Sequence, residues 1–110
     1  MIISELTTGY KNSLKKIKKN YDAMDKLNKV LSHMEVVHDF KDLKNHVISD
    51  QYGFEELKGD LTGYYRFSID KNSKSGKLRL LFSCPDNYSI RLEYISDEHY
   101  EDFKRYLRNI

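Results

Sequence analysis

Apolar residues recur at three- and four-residue spacing through the first half of the chain and at two-residue spacing through much of the second. Ile2 and Ile3 fit a short edge strand, and Ser4 or Thr7 is placed to cap the helix that follows. Tyr10, Leu14, Ile17 and Tyr21 fall on one face of that helix, with Lys11, Lys15, Lys16, Lys18 and Lys19 around the remainder. Asn20-Tyr21-Asp22 reads as a break. A second helix then aligns Ala23, Leu27, Val30, Met34 and Val37, and the two apolar faces pack as a helical hairpin. Phe40, Leu43, Val47 and Ile48 predict one or two further helical turns, and residues 49–53 a loop.

Near residue 50 the pattern changes from helical periodicity to alternation and turn signals. In residues 64–70, Tyr65, Phe67 and Ile69 point one way while Tyr64, Arg66 and Ser68 point the other. Residues 70–76, rich in Asn, Ser, Lys and Gly, predict a turn. In residues 77–84, Leu78, Leu80, Phe82 and Cys84 share a face; Lys77, Arg79, Leu81 and Ser83 share the other. Pro85-Asp86-Asn87 suits a tight turn. In residues 88–95, strict alternation sends Ile90, Leu92 and Tyr94 to the core and Ser89, Arg91, Glu93 and Ile95 outward. Residues 97–107 fit a last helix with Tyr100, Phe103 and Leu107 as its buried stripe. The expected class is α+β: a short N-terminal strand, a helical hairpin, a three-stranded antiparallel meander completing a small twisted sheet, and a C-terminal helix.

With the hairpin on one side, the other side of the sheet is expected to be open and to carry Arg66, Ser68, Arg79, Arg91 and Glu93. Three arginines on neighbouring strands repel one another unless Glu93 or an anion lies among them. That leaves two readings, a phosphate-contacting surface or a solvated face laced by cross-strand Arg–Glu pairs.

Composition narrows the field only moderately. A length of 110 residues fits one domain, residues 1–110. Charged residues make up 33% of the chain but balance to a formal +2, so any nucleic-acid surface must be local. Cys84 is the only cysteine, which rules out an intrachain disulfide and a cysteine zinc site within one chain. Met1-Ile2-Ile3 runs straight into Ser4-Glu5 without a signal-peptide pattern, and no apolar run approaches membrane-spanning length. The expectation is a reduced, cytoplasmic protein without metal or cofactor and without a membrane partner. His33 and His38 are five residues apart, which does not stack two ligands on one helix face, and His46 stands alone. All three are expected to be surface or partly buried structural histidines. The lysine-rich first helix is either a solvated face or a grip on RNA phosphates.

One constellation carries more. Glu55-Glu56-Leu57-Lys58 leads to Leu61-Thr62-Gly63-Tyr64-Tyr65, then to the arginine-led strand Leu78-Arg79-Leu80-Leu81-Phe82, and the series closes on His99-Tyr100. In order and spacing this resembles the RelE/ParE superfamily of bacterial toxins, most of all its YoeB/Txe branch. The resemblance covers nearly the whole chain in layout and is concentrated in residues 55–82 in identity. It implies a RelE-like fold and the toxin of a type II toxin–antitoxin pair. Such a toxin is a ribosome-dependent, metal-independent endoribonuclease that cuts mRNA in the A site by 2′-hydroxyl attack.

Carried over residue by residue, the resemblance makes Glu55 the base for the 2′-hydroxyl and Arg79 the donor that meets charge on the phosphoryl oxygens. His99 becomes the acid for the leaving 5′-oxygen, with Tyr100 beside it to orient or stack on the substrate. Lys58 and Arg66 become RNA backbone contacts; Arg91 shares their face without a family counterpart. It also implies a cognate antitoxin laid across the basic groove, the ribosome and mRNA as partners, and a dimer or toxin–antitoxin hetero-oligomer. Three departures stand out. Residues 101–110 extend past the histidine-tyrosine pair, Asp97-Glu98 stands where a basic residue is expected, and aligning His99 takes a one-residue insertion after the last strand. The alternatives within the same fold are a ParE-like inhibitor of DNA gyrase that cuts nothing, and an inactive relative that only binds antitoxin.

Overall fold

The computed structural model describes residues 1–70, 78–97 and 99–110, leaving the side chain of Asp70 aside. The expected turn at 70–76, the facing of Lys77 and the acidic Glu98 lie outside the described residues. The order of elements is β1 (Ile2–Leu6), α1 (Thr8–Ile17), α2 (Tyr21–Val36), α3 (Phe40–Asn45), α4 (Val47–Gln51), β2 (Glu55–Glu56), a 3-10 turn (Gly59–Leu61), β3 (Tyr65–Asp70), β4 (Leu78–Asp86), β5 (Ser89–Ser96) and α5 (Glu101–Arg108). The five strands form one sheet in the order β1-β5-β4-β3-β2, with β1 parallel to β5 and every other pair antiparallel. The α+β architecture follows the sequence expectation.

Local chemistry explains the helix starts. Thr7 Oγ1 accepts the Tyr10 N–H at 3.1 Å, so Thr7 and not Ser4 caps α1. Asn20 Oδ1 accepts the Ala23 N–H at 3.1 Å and makes the break before α2 a cap. Asp39 does the same for α3. Tyr21, expected on the buried stripe, is 84% exposed, because it is the first residue of the second helix and no longer follows the phase of the first. The segment expected as loop at 49–53 is helical through Gln51. His46 caps α4 with its ring Nδ1, which accepts the Ile48 N–H at 3.1 Å.

Helix α1 packs on β5 and α2 on β3. Between helices and sheet lie Leu27, Val30, Met34, Phe67, Ile69, Leu80, Phe82, Ile90, Leu92 and Ile95. Phe67 and Phe82 stack with centroids 5.4 Å apart, each contributing roughly 1.5–3 kcal/mol by burial. His33 is fully part of this interior, a correction to its expected surface or half-buried position. It shares a 2.8 Å hydrogen bond with Ser49 Oγ and lies 5.0 Å from the ring of His46. That bond ties α4 to α2.

Burial holds the His33 pKa below its ordinary 6.5, with the neighbouring His46 adding to the effect and Asp42 opposing it. A histidine whose folded pKa is depressed binds its proton more readily in the unfolded chain. Stability is therefore expected to fall as pH drops below about 6.5 and to keep falling until the folded pKa is passed. Urea unfolding from pH 7.5 to 5 checks this: His33→Gln should flatten that part of the profile relative to the native protein, and parallel profiles would refute it.

The far side of the sheet is not open along its whole length. A second cluster of Leu57, Leu61, Leu81 and Phe103, with Tyr64, Tyr94, Tyr100, Tyr106 and Leu107 packed on it, brings α5 down on this face. The helix expected over 97–107 begins only at Glu101, with Tyr100 as its cap; Phe103 and Leu107 form its buried stripe as expected, and what they cover is part of the face expected to be bare. Phe103 meets Tyr64 edge-on at 5.1 Å and Tyr94 at 5.4 Å. The Tyr106 hydroxyl accepts the Gly9 N–H at 3.1 Å, and a Cβ on Gly9 would come within 2.7 Å of its ring.

Tyr94 and Ile95 are reversed relative to expectation, and the cause is a β-bulge. Leu81 opposes Tyr94 while Phe82 opposes Leu92, which leaves Glu93 as the extra residue. Strict alternation then breaks: Tyr94 turns to α5 and Ile95 to the main core. Side chains of α1 satisfy the freed backbone. Thr7 Oγ1 donates to Glu93 O at 2.8 Å, and Ser13 Oγ accepts the Ile95 N–H at 2.9 Å. The last hairpin also shifts: β4 continues through Pro85 and Asp86, and the turn is Asn87-Tyr88, with Asp86 Oδ1 accepting the Tyr88 N–H at 2.8 Å.

Candidate active site

Strand alternation puts Arg66 and Ser68 of β3 and Arg79 of β4 on the α5 side of the sheet. Arg79 and Ser68 are direct cross-strand partners, and Arg66 is the partner of Glu55 on β2. The side chains follow the pairing. Arg66 Nη2 forms an ion pair with Glu55 Oε2, and Arg66 Nη1 donates to Ser68 Oγ at 3.1 Å. Arg79 Nη1 donates to the same Ser68 Oγ, also at 3.1 Å. Glu55, Arg66, Ser68 and Arg79 are thus one connected array.

Its electrostatics are unusual for a buried position. Arg79 is 8% exposed, yet among the described side chains no carboxylate lies within ion-pair distance of it. The Nε atoms of Arg66 and Arg79 are both buried without a hydrogen-bond partner among the described residues. Both Nη1 atoms bond one oxygen, so the two are within about 6 Å of each other and repel by roughly 3 kcal/mol at an effective dielectric of ~20. Among the described residues one glutamate offsets two cations. An anion carrying several oxygens would satisfy the idle N–H groups and the surplus charge together.

Arg91 is not part of this array. Its Nε is 2.7 Å from Glu5 Oε2 and 3.4 Å from Glu93 Oε2, and Glu93 also accepts a 2.6 Å hydrogen bond from Ser83 Oγ. The bulge aims Glu93 at Arg91. The cross-strand Arg–Glu lacing weighed for this face therefore exists at Arg91 with Glu5 and at Arg66 with Glu55, and among the described residues is absent at Arg79. Lys58 stands on the exposed loop after β2, 3.8 Å from Glu56.

His99 and Tyr100 follow Ser96, the β5 partner of Arg79. Asp97 organises them: its Oδ1 accepts the backbone N–H groups of His99 and Tyr100, each at 3.0 Å. Tyr100 is the one non-glycine residue in the left-handed region among the described residues, at φ 61°, a conformation costing roughly 1 kcal/mol. The His99 side chain is exposed, and Tyr100 is half-buried against the α5 cluster. The acid that departs from the family pattern at Asp97 is thus a backbone acceptor. Among the described residues no group of three His, Cys, Asp or Glu is arranged to hold a metal ion, and no helix is long and apolar enough to cross a membrane.

The alternation places Ser68 on this face without a role, and Gly53 falls at the end of the segment expected as loop. Gly53 sits at φ 69°, and a Cβ there would lie 3.0 Å from Ser68 Oγ and 3.6 Å from Arg66 Nη1. Tyr52 O accepts the Ser68 N–H at 2.7 Å. The chain leaving α4 therefore backs the serine directly. No local sequence signal pairs Gly53 with Ser68, since the helix that brings the glycine there shows barely one turn of pattern.

The mixed sheet with two helices on one face and a C-terminal helix partly covering the other is a RelE-like fold. Among solved structures it is shared by YafQ from E. coli strain BL21(DE3), with a TM-score of 0.61 and 16% identity over 86% of this chain and 91% of that one. A histidine-to-glutamine variant of E. coli YafQ superposes with a TM-score of 0.56 at 18% identity, with the same coverage. At these identities the likeness is one of fold. No family model matches the sequence, and no curated protein matches it.

Proposed function

We propose that this chain is the toxin of a type II toxin–antitoxin pair and a ribosome-dependent endoribonuclease of the RelE/ParE superfamily. The observation that carries the reading is the buried guanidinium of Arg79, without a carboxylate partner among the described residues and joined through Ser68 to the Arg66–Glu55 ion pair. The fold shared with YafQ supports the superfamily. The residue pattern from Glu55 to His99-Tyr100 supports the YoeB/Txe branch.

The chemistry follows from the charges. The scissile phosphate enters beside Arg79 and Arg66 and takes up their idle N–H groups. It competes with Glu55 for Arg66, and the released carboxylate accepts the proton of the ribose 2′-hydroxyl. The 2′-oxygen bonds to phosphorus as the bond from phosphorus to the 5′-oxygen breaks. Arg79 meets the charge that builds on the phosphoryl oxygens. His99 protonates the departing 5′-oxygen, leaving a 2′,3′-cyclic phosphate and a free 5′-hydroxyl, and Tyr100 orients the nucleotide. No metal is required, because the guanidinium groups supply the positive charge. Lys58 and Arg91 contact the RNA backbone from the rim, Arg91 less strongly because Glu5 and Glu93 already hold it. An antitoxin covers the same basic groove, in a hetero-oligomer in the cytoplasm.

The ion pair that occupies Glu55 favours a second reading, a RelE-fold protein that binds gyrase or antitoxin and cuts nothing. A reconstituted translation system separates the two. The nuclease reading expects message to be cut at the A-site codon with a 2′,3′-cyclic phosphate end. Intact message together with gyrase poisoning, or with antitoxin binding alone, would reverse the choice.

A further inference from the structure

We propose that Ser68 is a positioning residue that holds the two guanidinium groups in one fixed arrangement. Its catalytic consequence rests on the nuclease reading above. The hydroxyl accepts from Arg66 Nη1 and Arg79 Nη1, 3.1 Å from each, so both oxygen lone pairs are engaged by cations. No other described side chain bonds Arg79, and only Glu55 otherwise bonds Arg66. Without the serine oxygen, like charge drives the two forks apart.

The serine itself has little freedom. It is 5% exposed, it is the cross-strand partner of Arg79, and its N–H is tied to Tyr52 O at 2.7 Å. Gly53, in the left-handed region, lets the backbone after α4 close behind it. A phosphodiester oxygen beside the two arginines would meet guanidinium donors already fixed in place. This is the supporting shell that a charge-stabilising site needs to keep its geometry.

The test has two arms. In the first, arginine side-chain N–H exchange is followed by nitrogen-15 NMR on the native protein, Ser68→Ala and Ser68→Thr. Native protein and Ser68→Thr should both show slowly exchanging side-chain signals for Arg66 and Arg79, and Ser68→Ala should lose that protection. Unchanged protection in Ser68→Ala overturns the proposal whether or not the protein cuts RNA. In the second arm, message cleavage is measured on programmed ribosomes. Ser68→Ala should lower kcat about 10- to 100-fold, the usual scale for losing a supporting contact, with KM moved less than about threefold. Ser68→Thr should recover most of the rate. Added to Arg79→Ala, the serine substitution should cost much less than it does alone, because part of its effect passes through that arginine and only its hold on Arg66 remains. An additive loss, or a change confined to KM, also overturns it. Native protein that leaves message intact sinks the nuclease reading alone, and the exchange arm still decides what Ser68 holds.

Discussion

Arg79→Ala is expected to lower the rate of message cleavage about 100- to 1,000-fold, the scale of removing one preorganised donor from a developing oxyanion, while leaving stability level or slightly raised. Both halves follow from the same geometry. Arg79 is buried beside a second cation, with an unpartnered Nε and without a described carboxylate to offset it. Removing it gives up the packing of its aliphatic stem and relieves a repulsion of roughly 3 kcal/mol. A residue kept at such a position for structure alone would show the opposite signature, a large loss of stability on truncation. Cleavage rates on programmed ribosomes and urea midpoints on the same preparation check the two halves together. A variant that unfolds while its folded fraction cuts normally would assign Arg79 to the scaffold.

The largest expected change in stability lies across the sheet from the helices. Phe103→Ala should cost about 3–5 kcal/mol, as for other buried aromatic truncations, and lower Tm by more than about 10 °C. Phe103 is fully buried between Tyr64, Tyr94 and Tyr106 and anchors α5 on Leu81. Helix α5 is only eight residues long and would not persist detached in water. Differential scanning calorimetry with far-ultraviolet circular dichroism reads the effect. A Tm drop under about 3 °C would mean that the C-terminal helix is an accessory rather than a wall of the second cluster. Leu107→Ala, half-buried at the rim of the cluster, is the milder control, so a chain too unstable to purify still leaves a gradient to compare.

The parts of the fold legible in the sequence are those in which one period runs unbroken. β3 alternates cleanly from Tyr65 to Ile69, and α2 repeats Ala23, Leu27, Val30 and Met34 without interruption. α4 escaped because a five-residue helix presents barely one turn of pattern and its cap is a histidine ring nitrogen instead of a hydroxyl or carboxylate. The parallel pairing of β1 with β5 joins residues at opposite ends of the chain, and no local signal encodes it. At the site, facing was readable and distance was not. Arg66, Arg79 and Arg91 do share a side of the sheet. Which of them Glu93 neutralises depended on one irregular step in β5. The chemistry of Ser68 depended on a glycine fifteen residues earlier in the chain, closing behind it.

That irregular step has a bearing on where the histidine-tyrosine pair arrives. Aligning His99 with the toxin family takes one extra residue after the last strand. The strand itself carries a surplus, at Glu93, stitched to the first helix by a threonine and a serine. The parity of everything downstream is therefore set in mid-strand. Ser96 is delivered as the neighbour of Arg79, and the segment bearing the imidazole departs from the guanidinium's own row. Were that stitch undone, Thr7 and Ser13 on the opposite layer would be the residues to show it, although neither comes near a phosphate.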